Sequence, residues 1–191
     1  MSRPNEPKKK EILVERCLAI ALERGTLGSS INEIAKKIGT SSRMLVYHFG
    51  SKNELERQIV SLLEARLQEK LRSFQSLAIQ ETDHSVKPFL EMWEHLTSPD
   101  MCGLLKLTME LNQRAMQGDA ETRQFLEQEN QKWIATLSQL LNNEDIALSL
   151  FYLFQGAIMD FLTTGRAHPG RRAITAFLES LELGHHQAFT C

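Results

Sequence analysis

Ser42, Arg43, Met44 and Tyr47 crowd into one short stretch, and their side chains could address a nucleic acid. Arg43 has two donors that fit the acceptor edge of guanine, and the Ser42 hydroxyl can give or take one bond. Tyr47 offers a phenol to a phosphate, and Lys52 offers a charge. Lys36 and Lys37 add positive charge just upstream. Other chemistries find little support. His185 and His186 are adjacent and have no third ligand at metal spacing. His84, His95 and His168 have no neighbouring cysteine or paired acid, and no glycine-rich phosphate loop occurs. Cys17, Cys102 and Cys191 are odd in number and far apart, so they outline neither a disulfide framework nor a metal site. A non-enzymatic protein with no metal and no cofactor is expected, in a reducing cytoplasm.

The elements that must position those side chains are legible nearby. Ser30 and Glu33 stand three apart, the spacing of a capping box. Ile31, Ile34, Ala35 and Ile38 then recur at helical spacing, and Gly39 ends the helix. Thr40 and Ser41 can cap a second short helix. Leu45 and Phe49 sit four apart and turn inward, which leaves Ser42, Arg43, Met44 and Tyr47 facing out. The two elements read as a helix–turn–helix. A helix over 9–24 is predicted ahead of them, with Leu13 or Val14, Cys17, Leu18 and Ala21 on its apolar face. The polar residues before it, with the run Lys8, Lys9 and Lys10, read as an arm. Behind, Ser51 caps a long helix to about 77. Its stripe is Leu55, Ile59, Leu62, Leu63, Leu67, Leu71 and Phe74. Lys52 lies in its first turn, where a bound phosphate would suit the helix dipole better than a cation does.

Residues 29–55 resemble the DNA-binding signature of the TetR family of bacterial transcriptional regulators. The family's Thr-Thr-Val-x-x-Ile-Ala falls on Ser29, Ser30, Ile31, Ile34 and Ala35, and its Ala-Gly-Val-Ser on Ile38, Gly39, Thr40 and Ser41. Its Leu-Tyr-x-His-Phe falls on Leu45, Val46, Tyr47, His48 and Phe49. The Ser-Lys-x-x-Leu that follows falls on Ser51, Lys52 and Leu55. Val46 departs from a tyrosine that often touches phosphate in the family, and Thr40 from an apolar turn residue. The resemblance implies DNA contacts from Ser29, Ser30, Lys36, Ser41, Ser42, Arg43, Met44, Tyr47, His48 and Lys52. It also implies a homodimer on a palindromic operator in double-stranded DNA, acting as a repressor that a small molecule releases. A DNA-binding adaptor of the same fold, governed by a protein partner, is the alternative.

The rest of the chain agrees with this division of labour. Residues 1–57 hold eleven basic and seven acidic side chains, +4, against −6 on the remainder, within a total of −2 over 191 residues. Only the first segment is suited to a polyanion. An all-α fold is expected, with a helix–turn–helix DNA-binding domain over 1–55 joined by the long helix to a ligand-binding and dimerisation domain over 56–191. Helices are predicted over 86–96, 100–116, 120–141, 144–164 and 171–183, with a polar break at 80–85 and Pro169-Gly170 ahead of the last. The apolar run 146–162 is short for a membrane span and carries Gln155 and Asp160, so a buried helix is expected, and no membrane. Trp93, Leu96, Leu105, Met109, Trp133, Leu137, Phe151 and Met159 could line a pocket, and the amides of Asn112, Gln113 and Gln155 could orient an unknown small molecule there. The last two helices hold more apolar positions than one buried face requires. In the TetR family such a pair forms a four-helix dimer interface. The resemblance therefore puts Ile146, Leu150, Leu153, Ala157, Phe161, Ile174, Phe177, Leu178 and Leu181 between two copies.

Overall fold

The computed structural model describes residues 6–80 and 86–187, with side chains over 8–76 and 86–181. The elements along them are all helices: α1 (Glu6–Arg24), α2 (Ile31–Ile38), α3 (Ser42–Phe49), α4 (Lys52–Gln80), α5 (Lys87–Leu96), α6 (Pro99–Met116), α7 (Ala120–Leu141), α8 (Glu144–Thr164) and α9 (Ala167–Gln187). The polar break at 81–85, Cys191 and the side chains of His185 and His186 lie outside the described residues.

Local chemistry explains most boundaries. Ser30 and Glu33 close the capping box that starts α2, and Gly39, at φ 70°, ends it in the left-handed region. Asp119 and Asn143 accept backbone amides at the starts of α7 and α8, and Gly165 closes α8.

Several boundaries differ from the sequence reading: α4 runs to Gln80 and α9 to Gln187, past the expected 77 and 183, and two helices start earlier than expected. α1 begins at Glu6, so Lys8, Lys9 and Lys10 are helical and not an arm, and the Lys10 ammonium sits 5.5 Å from the centre of the Phe49 ring. α9 begins at Ala167, and Pro169 and Gly170 lie inside it. Proline is tolerated in a first turn, whose N–H groups have no helical partner. Gly170 is required by packing, because a Cβ there would fall 2.5 Å from the Trp93 ring. Trp93 Nε1 in turn donates to the Ala167 carbonyl at 3.1 Å, so α5 is fastened to the start of α9.

Two cores organise the helices. The first joins Cys17 and Leu18 of α1, Ile34 of α2, Leu45 and Phe49 of α3 and Ile59 of α4 to Leu104, Leu107 and Leu111 of α6. Residues on both sides of position 55 share it. The crossing of α6 over α1 is very close: a Cβ on Gly103 would lie 1.8 Å from the Leu22 carbonyl oxygen. Burial pushes the Cys17 thiol up to about 11, which makes it an inert core group. The second core gathers Phe74, Phe89, Trp93 and Leu137 around Leu150, Phe151 and Phe154 of α8, with Ile174 and Leu178 of α9. By length and composition α8 could cross a membrane, but Ala147, Leu150, Phe151 and Phe154 are buried within the chain.

Candidate nucleic-acid interface

Leu45 and Phe49 fix the attitude of α3 by burying one side of it, at 0% and 3% exposure. Complete burial of a leucine contributes about 1.5–3 kcal/mol, ample to hold an eight-residue helix in register. Ser41 caps its start by accepting the Met44 amide at 3.2 Å. The opposite side presents Arg43 and Tyr47 to solvent, with Ser42 and Met44 half-buried beside them. The Arg43 guanidinium has no acidic partner among the described residues. Ser42 donates its hydroxyl to Asn32 Oδ1 on α2, which leaves its oxygen able to accept. Asn32 therefore belongs to this surface; its exposed position in the first turn of α2 was the available signal.

Charges around α3 are partly spoken for. Lys36 is exposed, while Lys37 pairs with Glu23 at 2.6 Å. Lys52 pairs with Glu56, one turn on, at 3.1 Å. The serines divide between surface and scaffold. Ser30 donates to Glu33 at 2.7 Å, and its hydroxyl and amide together hold the Glu33 carboxyl below the usual carboxylate range. Ser29 is buried and accepts from Arg24 at 2.8 Å, so its hydroxyl faces the protein instead of a DNA backbone. His48 has its Nε2 buried, with no hydrogen-bond partner among the described residues, between Tyr47 and Phe49 ring contacts.

The body contains a cavity of about 440 Å³ bounded by α4, α5, α6, α7 and α8. Of the residues the sequence reading named, Leu96, Leu105, Met109, Trp133, Leu137, Phe151 and Gln155 line it. Four other candidates do not. Trp93 is spent on α9, and Asn112 donates to the Thr108 carbonyl at 2.9 Å. Gln113 is exposed, and Met159 is 53% exposed on the outer side of α8. Glu129, which the sequence reading passed over, is a 5% exposed carboxylate on the wall. Its i, i+4 relation to Trp133 was a faint hint. A second cleft, of about 570 Å³, is polar, and its arginines are already paired: Arg57 with Glu54 and Glu121, Arg114 with Glu56 and Glu110.

The outer apolar surface also differs in detail. Leu150, Ala157, Ile174 and Leu178 are buried in the chain's own core and are not available to another copy. Ile146, Leu153, Phe161, Phe177 and Leu181 are half-buried. The exposed members are Leu148, Tyr152 and Met159, at 39%, 62% and 53%. On α8 apolar residues occupy every side, so periodicity alone could not select the free one.

A capped pair of short helices, packed through one core onto an all-helical body, has the architecture of a helix–turn–helix on a helical body. Residues 13–59 match the sequence profile of bacterial regulatory proteins of the tetR family. No curated protein matches the chain. Among solved structures, a transcriptional regulator from Rhodococcus sp. Rha1 is similar at TM-score 0.73 and 18% identity, over 92% of this chain and 96% of that one. A TetR transcription regulator from Haloarcula marismortui is similar at TM-score 0.68 and 15% identity, over 89% and 98%. Residues 13–59 thus match the N-terminal segment of the TetR family, and the whole chain takes the fold of the TetR-family structures it resembles.

Proposed function

We propose that the protein is a cytoplasmic repressor that binds a palindromic operator as a homodimer and leaves it when a small molecule enters the cavity of the body. The observation that carries the reading is the Arg43 guanidinium, exposed on α3 without an acidic partner among the described residues, on a helix capped and anchored from behind. Such a donor fork suits the O6 and N7 acceptors of guanine. Residues 1–55 form the reading head and residues 56–191 the sensing and dimerising body. Leu148, Tyr152 and Met159 support a two-fold interface through α8, because an exposed apolar stripe of this kind marks an association surface. Two linked heads would meet half-sites spaced by the helical repeat. The position of α6 supports release by a ligand. Leu104 and Leu111 of this helix belong both to the core of the head and to the cavity wall.

The test is a selection of bound fragments from random double-stranded DNA, followed by footprinting. Two protected half-sites related by a two-fold axis are expected. Enrichment of a single unsymmetric site, or of nothing, would remove the operator reading.

A further inference from the structure

We propose that the cavity takes an amphipathic anion: a hydrocarbon or aromatic body in the cavity, with a carboxylate or similar acidic end held at its rim by Lys70 and His95. The inference rests on the reading of this cavity as the regulatory site.

The body of the ligand follows from the walls. The lining is dominated by leucine, methionine and aromatic side chains, Trp133, Phe151 and Phe154 among them. At about 440 Å³ the volume falls within the roughly 300–1,000 Å³ of small-molecule sites.

The rim decides the charge. The lining residues most open to solvent, Ser73, Glu91 and His95, all come from α4 and α5, so the cavity opens between these two helices. Its two carboxylates have cations of their own. Glu129 accepts the Gln68 amide on both oxygens, at 3.0 and 2.8 Å, and Lys132 Nζ at 2.6 Å. Glu91 pairs with Lys87 at 3.8 Å. Lys70 differs: its ammonium lies 3.2 Å from His95 Nε2 and meets no carboxylate among the described residues. An ammonium has three donors, and an imidazole accepts only one of them. Two basic groups side by side at an apolar mouth, neither of them paired with a carboxylate among the described residues, suit an anion that brings its own. Lys70 is among the lining residues, and the apolar stem of such a side chain can cover an apolar wall while its charge stays at the edge. A cationic lipophile would find Glu129 already satisfied and Lys70 repelling it.

Three probes of equal chain length separate the alternatives: decanoate, decanol and decylammonium, titrated into the full-length protein. Trp133 lines the cavity, so tryptophan fluorescence reports occupancy. Decanoate should bind roughly ten-fold more tightly than decanol, the worth of one charge-assisted bond. Decylammonium should bind least. In Lys70→Gln that preference should disappear, and decanoate should fall to the level of decanol. His95→Gln, at an exposed site, should lose part of it and guards against a folding defect in the first variant. Equal affinities for decanoate and decanol, or a preference for decylammonium, would overturn the assignment of an anion while leaving a working cavity. If none of the three binds the wild type, or if Met109→Trp fails to block binding, the cavity is not the ligand site and the regulatory reading itself falls.

Discussion

Glu110, on α6, accepts the backbone amide of Leu27 at 2.9 Å across 83 residues of sequence. The bond ties the loop that leads into α2 to a helix that also lines the cavity. Arg114 holds the same carboxylate at 2.6 Å and reaches Glu56 of α4 at 2.8 Å, and Glu56 holds Lys52 at 3.1 Å. A continuous set of charged contacts thus runs from α6 to the first turn of α4, which holds Lys52, the proposed phosphate contact. α6 is thus joined to the head by this set of contacts as well as by the shared core.

Breaking that tie gives the first prediction. Leu27 is 3% exposed, so Glu110→Ala would strand a buried amide, at a cost of about 1–3 kcal/mol. Glu110→Gln keeps an acceptor but gives up the charge, and should cost less. Burial acts to raise the Glu110 carboxyl, yet hydrogen bonds from Thr26, Leu27 and Arg114 outweigh it and hold the group below the usual carboxylate range. The depressed carboxyl therefore contributes stability fully above its unfolded pKa of about 4.3, and loses it as pH falls through the lower folded value. Denaturant midpoints at neutral and acidic pH provide the measurement. The gap between wild type and Glu110→Gln should narrow in acid, and a gap that stays constant would contradict the role of the charge.

Arg43→Ala should relax base preference at one position in each half-site, by about 1–3 kcal/mol against the preferred base. Ser42→Ala should matter less, since that hydroxyl donates to Asn32 and offers DNA only an acceptor. Binding to a panel of operators with single-base changes decides it: an unaltered preference in Arg43→Ala would take this residue out of the reading set.

Lys52→Ala should weaken every DNA sequence about equally and lower the salt slope of binding by roughly one per half-site contact. The lysine must be shared with Glu56, so Glu56→Gln should strengthen non-specific binding at low salt. Titrations across salt concentrations give both slopes. A Lys52→Ala protein with wild-type slope but altered base preference would reverse the assignment.

What the sequence revealed and what it hid divide along physical lines. The starts of α2 and α3 were legible because Ser30 and Ser41 act through bonds a few residues long. The start of α9 was not, since Gly170 reads as a breaker until the Trp93 ring is seen to need its missing Cβ. Gly103 is similar: its reason is the carbonyl of Leu22, far off in sequence. The outward face of α3 was legible from Leu45 and Phe49. Which hydroxyls remained free was not, because Ser29 is taken by Arg24 and Ser42 by Asn32. On α8 the apolar pattern surrounds the helix, so the assignments of Met159 to the cavity and Leu150 to the outside both depended on packing that no single-helix pattern contains.

The interface between copies provides the last prediction. Tyr152 is 62% exposed on α8, one helical turn from Leu148 and two from Met159 on the same side of the helix. Two-fold pairing through that side sets each residue against the same surface of the partner. Tyr152→Glu would then place like charges in a self-facing, desolvated patch, and the dimer should dissociate. The exposed position makes this variant more telling than Phe177→Glu. Phe177 is half-buried against the second core, and its replacement would damage the fold as well. Tyr152→Glu should remain helical and elute as a monomer at micromolar concentration, where wild type should elute as a dimer. Operator affinity should fall steeply, because the second head no longer binds at the high effective concentration that linkage confers. Sedimentation of both proteins, with and without operator DNA, provides the measurement. A wild-type monomer, or a Tyr152→Glu dimer with undiminished operator binding, would show that the exposed stripe of α8 is not the dimer contact.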